Sequence, residues 1–246
     1  MKCILCGFKA DKLNNKYYHC HNCDLIFIKK EYIPSPEEEK ERYRGHNNNH
    51  NQNGYVKMFE EFMKKAISPY LEIPYELTDK KIRVKGKKLA GGTKKVEKKN
   101  LPSQNLKSVS LKVLDYGCGP GPVLADLLSW QGFDVDVYDP YFYPDKKYKS
   151  KRYDLITCTE VLEHIAKPYQ VLRDLLEHLK PGGIMAVMTH FHQKDDADFD
   201  FKQWWYNNDP THITFYSRKT IKWIASEFEL KLIYLGKSKM ATFQKA

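Results

Sequence analysis

Long apolar runs are missing from this sequence of 246 residues. Its uninterrupted apolar stretches fall far short of the ~20 residues that a bilayer-spanning helix needs, which excludes a spanning protein. An export signal is missing too. Met1-Lys2-Cys3-Ile4-Leu5-Cys6 runs into Lys9 and Asp11 before a secretory apolar core can form. The expected location is therefore the reducing cytoplasm, where paired cysteines bind metal more readily than they form disulfides. No internal repeat is visible. The Gly-x-Gly-x-x-Gly turn of a dinucleotide-binding domain is also absent, because Pro122 stands where the last glycine would be. Core-forming residues are not scarce. Hydrophobic residues make up 41% and aromatics 13%, which excludes a wholly disordered chain.

The net charge of +10 looks like a nucleic-acid signal until it is mapped. Residues 80–107 hold eleven Lys and Arg and a single acid, Glu97, and carry the whole excess. The charge belongs to one segment, not to a folded face. That segment contains Gly91-Gly92 and few large apolar residues, so residues 79–109 read as a flexible basic insertion.

Three other parts flank it. Residues 1–33 hold four of the six cysteines. Residues 34–78 open with Pro34-Ser35-Pro36-Glu37-Glu38-Glu39, which suits a helix N-terminus. A polar patch follows, then Tyr55, Met58, Phe59, Phe62 and Met63 recur at helical spacing. This part reads as a helical segment that caps a site. Residues 110–246 alternate strand and helix patterns: strands at Val113–Tyr116, Phe133–Tyr138, Asp154–Thr159 and Ile184–Thr189, with helices at Val123–Leu128, from Val161 onward and at Leu172–Leu179. Pro181-Gly182-Gly183 reads as the stop of the last of these helices. Ile213–Tyr216, a helix Lys219–Phe228 and a strand Leu230–Leu235 complete the pattern. Such alternation predicts an α/β fold with a parallel sheet and helices on both faces.

The cysteines form two pairs, Cys3-x2-Cys6 and Cys20-x2-Cys23, thirteen residues apart. This is the pattern of a tetrahedral zinc site in which each pair makes one knuckle, so the N-terminus reads as a small zinc ribbon. His19 and His21 flank Cys20, but a complete set of four thiolates makes them unnecessary. Cys118 and Cys158 stand singly and read as small buried residues.

Asp115-Tyr116-Gly117-Cys118-Gly119-Pro120-Gly121 lies between a strand and a helix. Glycine permits positive φ and close backbone approach to a ligand. An acid two residues before the first glycine would face a cationic or amino-bearing group, not a pyrophosphate. The next strand ends at Asp139, at an offset from which an acid can accept both hydroxyls of a ribose. The ligand described is a nucleoside with positive charge and no phosphate.

Residues 110 to about 235 resemble a class I S-adenosylmethionine-dependent methyltransferase. The run Asp115–Gly121, Asp139, Tyr153–Glu160 and Leu179-Lys180-Pro181-Gly182-Gly183 match four family motifs in order. The resemblance implies a Rossmann-like sheet. It implies that Asp115, Gly117, Cys118, Gly119 and Gly121 line the methionine and ribose part of the cofactor. It puts Asp139 on the ribose hydroxyls, and Thr159 and Glu160 near the transferred methyl.

Glu160-Val161-Leu162-Glu163-His164 would start the following helix, with positions 160, 163 and 164 on one face. Two readings stand. In one, the acids favour the helix N-terminus and His164 packs. In the other, Glu160, Glu163 and His164 hold a divalent metal, with His190, His192 or His212 as fourth ligand. The string resembles the metal cluster of small-RNA 2′-O-methyltransferases and of some quinone O-methyltransferases. His164 is a candidate base under either reading, and His212 and Glu160 complete the candidate catalytic set. Trp204–His212 reads either as an apolar lid over the core or as a substrate wall that puts His212 at the acceptor. The region Tyr43–Asn48, with Tyr55, is similar in character: Arg44, His46 and Asn47 are candidates to close the cofactor pocket from the N-terminal side, and a solvated loop is the other reading.

The expected function is methyl transfer to an O, N or C atom of a small molecule. The alternatives are an RNA methyltransferase that uses the ribbon and the basic segment to bind RNA, and a cofactor-binding scaffold without turnover. The ribbon supports the RNA alternative because it resembles the N-terminal finger of a group of ribosomal-RNA guanine methyltransferases.

Overall fold

A computed structural model describes residues 1–45, 52–71, 110–193 and 199–246. The basic insertion 79–109, His46, Asn47, Asn48 and residues 195–198 lie outside the described residues. In chain order the elements begin with three short strands, β1 (Asp11–Lys12), β2 (Tyr17–His19) and β3 (Ile26–Ile28). Next come α1 (Pro36–Arg44) and α2 (Asn53–Phe62), the latter continuing as a π-helical turn, Met63–Ile67. The alternating part follows as β4 (Lys112–Tyr116), α3 (Val123–Trp130), β5 (Asp134–Tyr138), β6 (Tyr153–Thr159), α4 (Pro168–His178) and β7 (Leu179–Met188). It closes with β8 (Thr214–Phe215), α5 (Arg218–Glu227), β9 (Leu230–Leu235) and β10 (Met240–Lys245).

The main sheet has the order β5-β4-β6-β7-β10-β9. The first four strands are parallel, and β10 runs antiparallel to both β7 and β9. Successive residues of the central strands enter opposite cores. Val113, Leu155, Ile184, Ala186 and Met188 pack with α3 and the α2 region. Leu114, Ile156, Met185 and Val187 pack with α4 and α5. Helices therefore cover both faces, and the central strands read as continuous apolar runs instead of alternating ones. This is the class I methyltransferase fold that the sequence leads one to expect.

Three features depart from expectation. No regular helix begins at Val161: Leu162–His164 is a single 3₁₀ turn, and α4 starts only at Pro168. The segment Pro181-Gly182-Gly183 does not end a helix but lies within β7, with Gly182 at φ +74. The chain also forms one more strand, β10, whose Met240–Gln244 ladder fills the space beside β7. The π-helical turn leaves the Ala66 carbonyl to accept from Thr242 Oγ1 of β10 at 2.6 Å.

The ribbon is not a separate body. Its sheet has the order β1-β2-β3-β8, so its fourth strand comes from the C-terminal half. Cys3, Leu5, Cys20, Cys23, Leu25 and Phe27 share one core with Leu114, Ile156, Tyr216 and Ile221.

Candidate functional site

The chain passes from β4 to one neighbour, β5, and later to the other, β6. Strand order therefore reverses beside β4, and a crevice opens at the carboxyl ends of these strands. A cavity of about 360 Å³ lies there. Its walls include Asp115, Gly117, Cys118, Gly119, Asp139, Thr159, Glu160, His164 and His212. The structure thus gathers most of the residues singled out from the sequence; Glu163 lies fully buried just behind them.

At one end, the turn after β4 is fixed by Gly117 and Cys118, whose amides donate to the Tyr138 carbonyl at 2.7 and 3.2 Å. Gly117 has φ +79, and a Cβ built there would stand 2.2 Å from Val161 Cγ2. Only a bare backbone fits. Asp115 is buried and accepts from Thr157 Oγ1 at 2.8 Å. Burial pushes its carboxyl up to about 6, against the pull of the Thr157 and Ala125 hydrogen bonds. Asp139 accepts from the amides of Gly119, Tyr141 and Phe142 at 3.1, 2.8 and 3.0 Å. It braces the glycine turn against the end of β5.

At the other end, the short 3₁₀ turn replaces the expected helical face. Glu160 sits at φ +52, its amide tied to the Met188 carbonyl at 2.8 Å. The set of potential metal ligands changes accordingly. Glu163, His164 and His212 bring ligand atoms within 4.8 Å of one another, and Glu160 is not in that set. Instead Glu160 shares the Tyr206 hydroxyl with Glu163, at 3.3 and 2.5 Å. One phenol proton cannot serve two carboxylates at once. Glu160 Oε1 and Glu163 Oε2 are moreover buried without a hydrogen-bond partner. Burial raises both carboxyls well above the usual range, and their mutual repulsion raises Glu163 further.

The two histidines are oriented alike. His164 Nδ1 faces the Thr211 carbonyl at 2.9 Å, and His212 Nδ1 faces the Tyr206 carbonyl at 2.6 Å. A carbonyl can only accept, so each Nδ1 carries a proton and Nε2 is the nitrogen of each ring left to face the cavity chemistry. The rings meet edge to face, 4.8 Å apart. His190 and His192 do not join them. His190 packs on Trp205 and Tyr206, and burial pulls it down to about 4. His192 Nε2 donates to the Asp24 carbonyl of the ribbon at 2.8 Å.

Helix α1 closes one wall. Ser35 and Glu38 cap it reciprocally, and none of its residues is buried. Polar links hold it in place. Tyr141 and Tyr43 both donate to Glu39, and Arg42 pairs with Asp209 at 2.9 Å. Glu39, Tyr43, Tyr55 and Tyr141 line the cavity. Glu39 and Tyr141 carry no motif, although the spacing of Glu39 and Tyr43 on one helix face could have signalled a pair. Arg44 points outward to Glu41 at 3.3 Å, away from the pocket. In the aromatic loop, Trp204 and Tyr206 pack on Phe215 as a lid does, whereas Trp205 is 60% exposed.

The four ribbon cysteines form a second cluster. Cys3 and Cys23 Sγ are 3.6 Å apart, and Cys6 and Cys20 Sγ 3.4 Å. A tetrahedron of Zn–S bonds has edges of about 3.8 Å, so the four sulfurs fit one zinc ion. The knuckles match in detail. The amides of Gly7 and Asp24 turn back to the carbonyls of Cys3 and Cys20 at 3.0 and 2.7 Å. Both residues take left-handed φ, +73 and +63. Asp24 tolerates this with its side chain anchored on His19 at 2.6 Å.

A family model described as a methyltransferase domain matches residues 72–235. The chain belongs to this methyltransferase family. Among curated proteins it is similar to the ubiquinone biosynthesis O-methyltransferases of Rickettsia typhi and Rickettsia prowazekii. Each is 33% identical over 101 residues, which cover 32% of this chain and 41% and 40% of those proteins. The chain thus matches about two fifths of the length of these relatives. Among solved structures, it resembles an O-methyltransferase family protein from Burkholderia thailandensis at 14% identity and TM-score 0.38, over 58% of this chain and 53% of that one. It also resembles TehB from Haemophilus influenzae at 18% identity and TM-score 0.38, over 56% and 59%. Among the described residues, no helix is long and apolar enough to cross a membrane.

Proposed function

We propose that this protein transfers a methyl group from S-adenosylmethionine to a hydroxyl oxygen of a small molecule. The observation that carries the reading is one cavity with two chemically different ends. A glycine turn flanked by Asp115 and Asp139 lies at one, and two histidines anchored through Nδ1 lie at the other. The O-methyltransferase names of the relatives support oxygen as the acceptor atom.

Bound S-adenosylmethionine supplies a methyl group already made electrophilic by its sulfonium. The chain has to bind, align and exclude water, and alignment alone can supply roughly 7–11 kcal/mol. Asp115 suits the cationic amino end of the cofactor. Gly117, Cys118 and Gly119 let the backbone lie against it, while Gly121, also expected there, is not on the cavity wall. Asp139 sets the turn and takes the ribose edge, and Thr159 and Glu160 border the methyl. His212 Nε2, with His164 beside it, would take the acceptor proton, an effect worth about 10²–10⁴-fold. In a metal-bound form, Glu163, His164 and His212 would instead hold a divalent cation, whose positive charge would offset the repulsion between the buried Glu160 and Glu163 carboxylates and acidify a bound hydroxyl. The four ribbon cysteines would hold a structural zinc. The RNA reading draws on the ribbon and on a basic segment outside the described residues, and the names of the relatives favour the small-molecule acceptor over it.

Calorimetry with S-adenosylmethionine tests the cofactor half. Asp139→Ala should weaken binding tenfold or more, since hydrogen bonds to a charged group contribute about 1.5–3 kcal/mol each. An unaltered dissociation constant would sink the assignment. Incubation with tritiated-methyl cofactor and a cell extract tests the acceptor half. Label should enter the small-molecule fraction; label in RNA would overturn the acceptor class, and no label at all would favour the scaffold.

A further inference from the structure

The two ends of the cavity are supported by different parts of the molecule. The cofactor end hangs on β4, β5 and β6 of the main sheet. The histidine end hangs on the segment around Ile213. The Ile213 amide donates to the Glu163 carbonyl at 2.8 Å, and its own carbonyl accepts from Ile28 of the ribbon at 2.9 Å. One residue after His212 is therefore clamped between the ribbon and the Glu163 turn. Further ties run in parallel. Ile26 and Phe27 of β3 pair with Phe215 and Thr214 of β8, and Thr214 Oγ1 donates to the Leu162 carbonyl at 2.8 Å. His192, whose amide is held by the Tyr216 carbonyl, reaches Asp24 directly after the last knuckle cysteine.

We propose that the zinc-loaded ribbon is a positioning element for the histidine end of the cavity: by clamping the segment Thr211–Phe215 it fixes His212 against Glu163 and His164, so that zinc occupancy sets the geometry of this trio and leaves the cofactor end in place. The inference rests on the functional reading for the identity of the two ends. The contacts themselves do not depend on it. Ile213 and His192 act here as positioning residues, because they reach the site only through others.

The test uses the full chain, with and without zinc stripped by a chelator that is then removed and that leaves Cys118 of the cofactor end unmodified, and three readouts. On zinc loss, amide exchange at Ile28, Ile213 and Thr214 should rise by roughly tenfold or more beyond any rise at the amides of β4 and β6. Manganese binding, followed by electron paramagnetic resonance, should weaken by roughly 10–100-fold, as is usual when the support of a metal ligand is removed. S-adenosylmethionine affinity should stay within a few-fold, and reloading with zinc or cadmium should restore manganese binding. The variant His192→Leu, which spares every cysteine, should retain zinc and yet weaken manganese binding; His192→Gln, which keeps a donor, should recover most of it.

Unchanged exchange and manganese affinity after complete zinc loss would overturn the proposal. So would an equal loss of cofactor affinity, which would make the ribbon a general support of the fold. A purified chain that holds no zinc yet protects Ile213 would overturn it too. If the intact protein binds neither manganese nor cofactor, the functional reading fails, and the exchange pattern alone then decides whether the clamp responds to zinc.

Discussion

A methyl group at position 117 would stand 2.2 Å from Val161 Cγ2, on a backbone already at φ +79. Left-handed backbone alone costs a non-glycine residue roughly 1–2 kcal/mol. Gly117→Ala should therefore lower stability by more than about 1 kcal/mol and depress cofactor affinity, because Val161 must move away from the cavity wall. Denaturant melts and calorimetry read both, and an unperturbed variant would show that the turn has more room than its geometry allows. Asp115 gives a pH signature. Its carboxyl is raised from 3.8 to about 6, so the folded protein carries the cost of a buried charge that grows as pH climbs through that window. A cationic ligand relieves this cost and needs the ionised form. S-adenosylmethionine should thus bind more tightly as pH rises from 5 to 7, by up to about tenfold, and level off above. Asp115→Asn should flatten the profile while weakening binding throughout.

Among the helices α1 to α5, α1 stands out for lacking a buried residue. Its contribution to the cavity wall depends on Glu39 with its two tyrosines and on Arg42 with Asp209. The Arg42 guanidinium and the Thr211 hydrogen bonds hold the Asp209 carboxyl well below the usual range. Arg42 is half-exposed, and pairs of this kind are worth ~0.2–1 kcal/mol, so Arg42→Ala should leave global stability nearly unchanged. It should speed amide exchange along α1 and weaken cofactor binding modestly, whereas a fall in overall melting temperature of many degrees would contradict a merely docked helix. The Glu160–His164 turn shows what the sequence could and could not say about an element. The residues were legible as a cluster. Their helical face was not, because a left-handed Glu160 and a single 3₁₀ turn are tertiary outcomes, set by Met188, Tyr206 and Thr214 from distant parts of the chain. His212 entered the metal-competent trio for the same reason.

For the molecule as a whole, the four motifs of residues 110–235 made the sheet legible, since parallel strands buried on both faces leave uninterrupted apolar runs such as Ile184–Met188. Two things were hidden. β10 has a mixed sequence, Met240-Ala-Thr-Phe-Gln-Lys245, that carries little strand signal on its own. The union of the ribbon with the main sheet was hidden as well, because the cysteine spacing reports the four-cysteine cluster and not what packs around it. The shared core leads to a calorimetric prediction. The zinc-loaded chain should unfold in one transition, and Cys20→Ser should lower that transition instead of splitting off a small early one. Two resolved peaks would show that the ribbon melts alone.

The pairing of Ile26 with Phe215 also dictates an order of events during synthesis. The ribbon leaves the ribosome well ahead of β8. Strand β3 then waits with an open edge until Phe215 has been made. At translation rates of about 5–20 residues per second, that wait lasts on the order of ten seconds or more. An unpaired apolar edge held open so long invites pairing with another nascent chain. Conditions that slow elongation should therefore lower the yield of folded protein more than they would for a chain whose N-terminal module closes on itself.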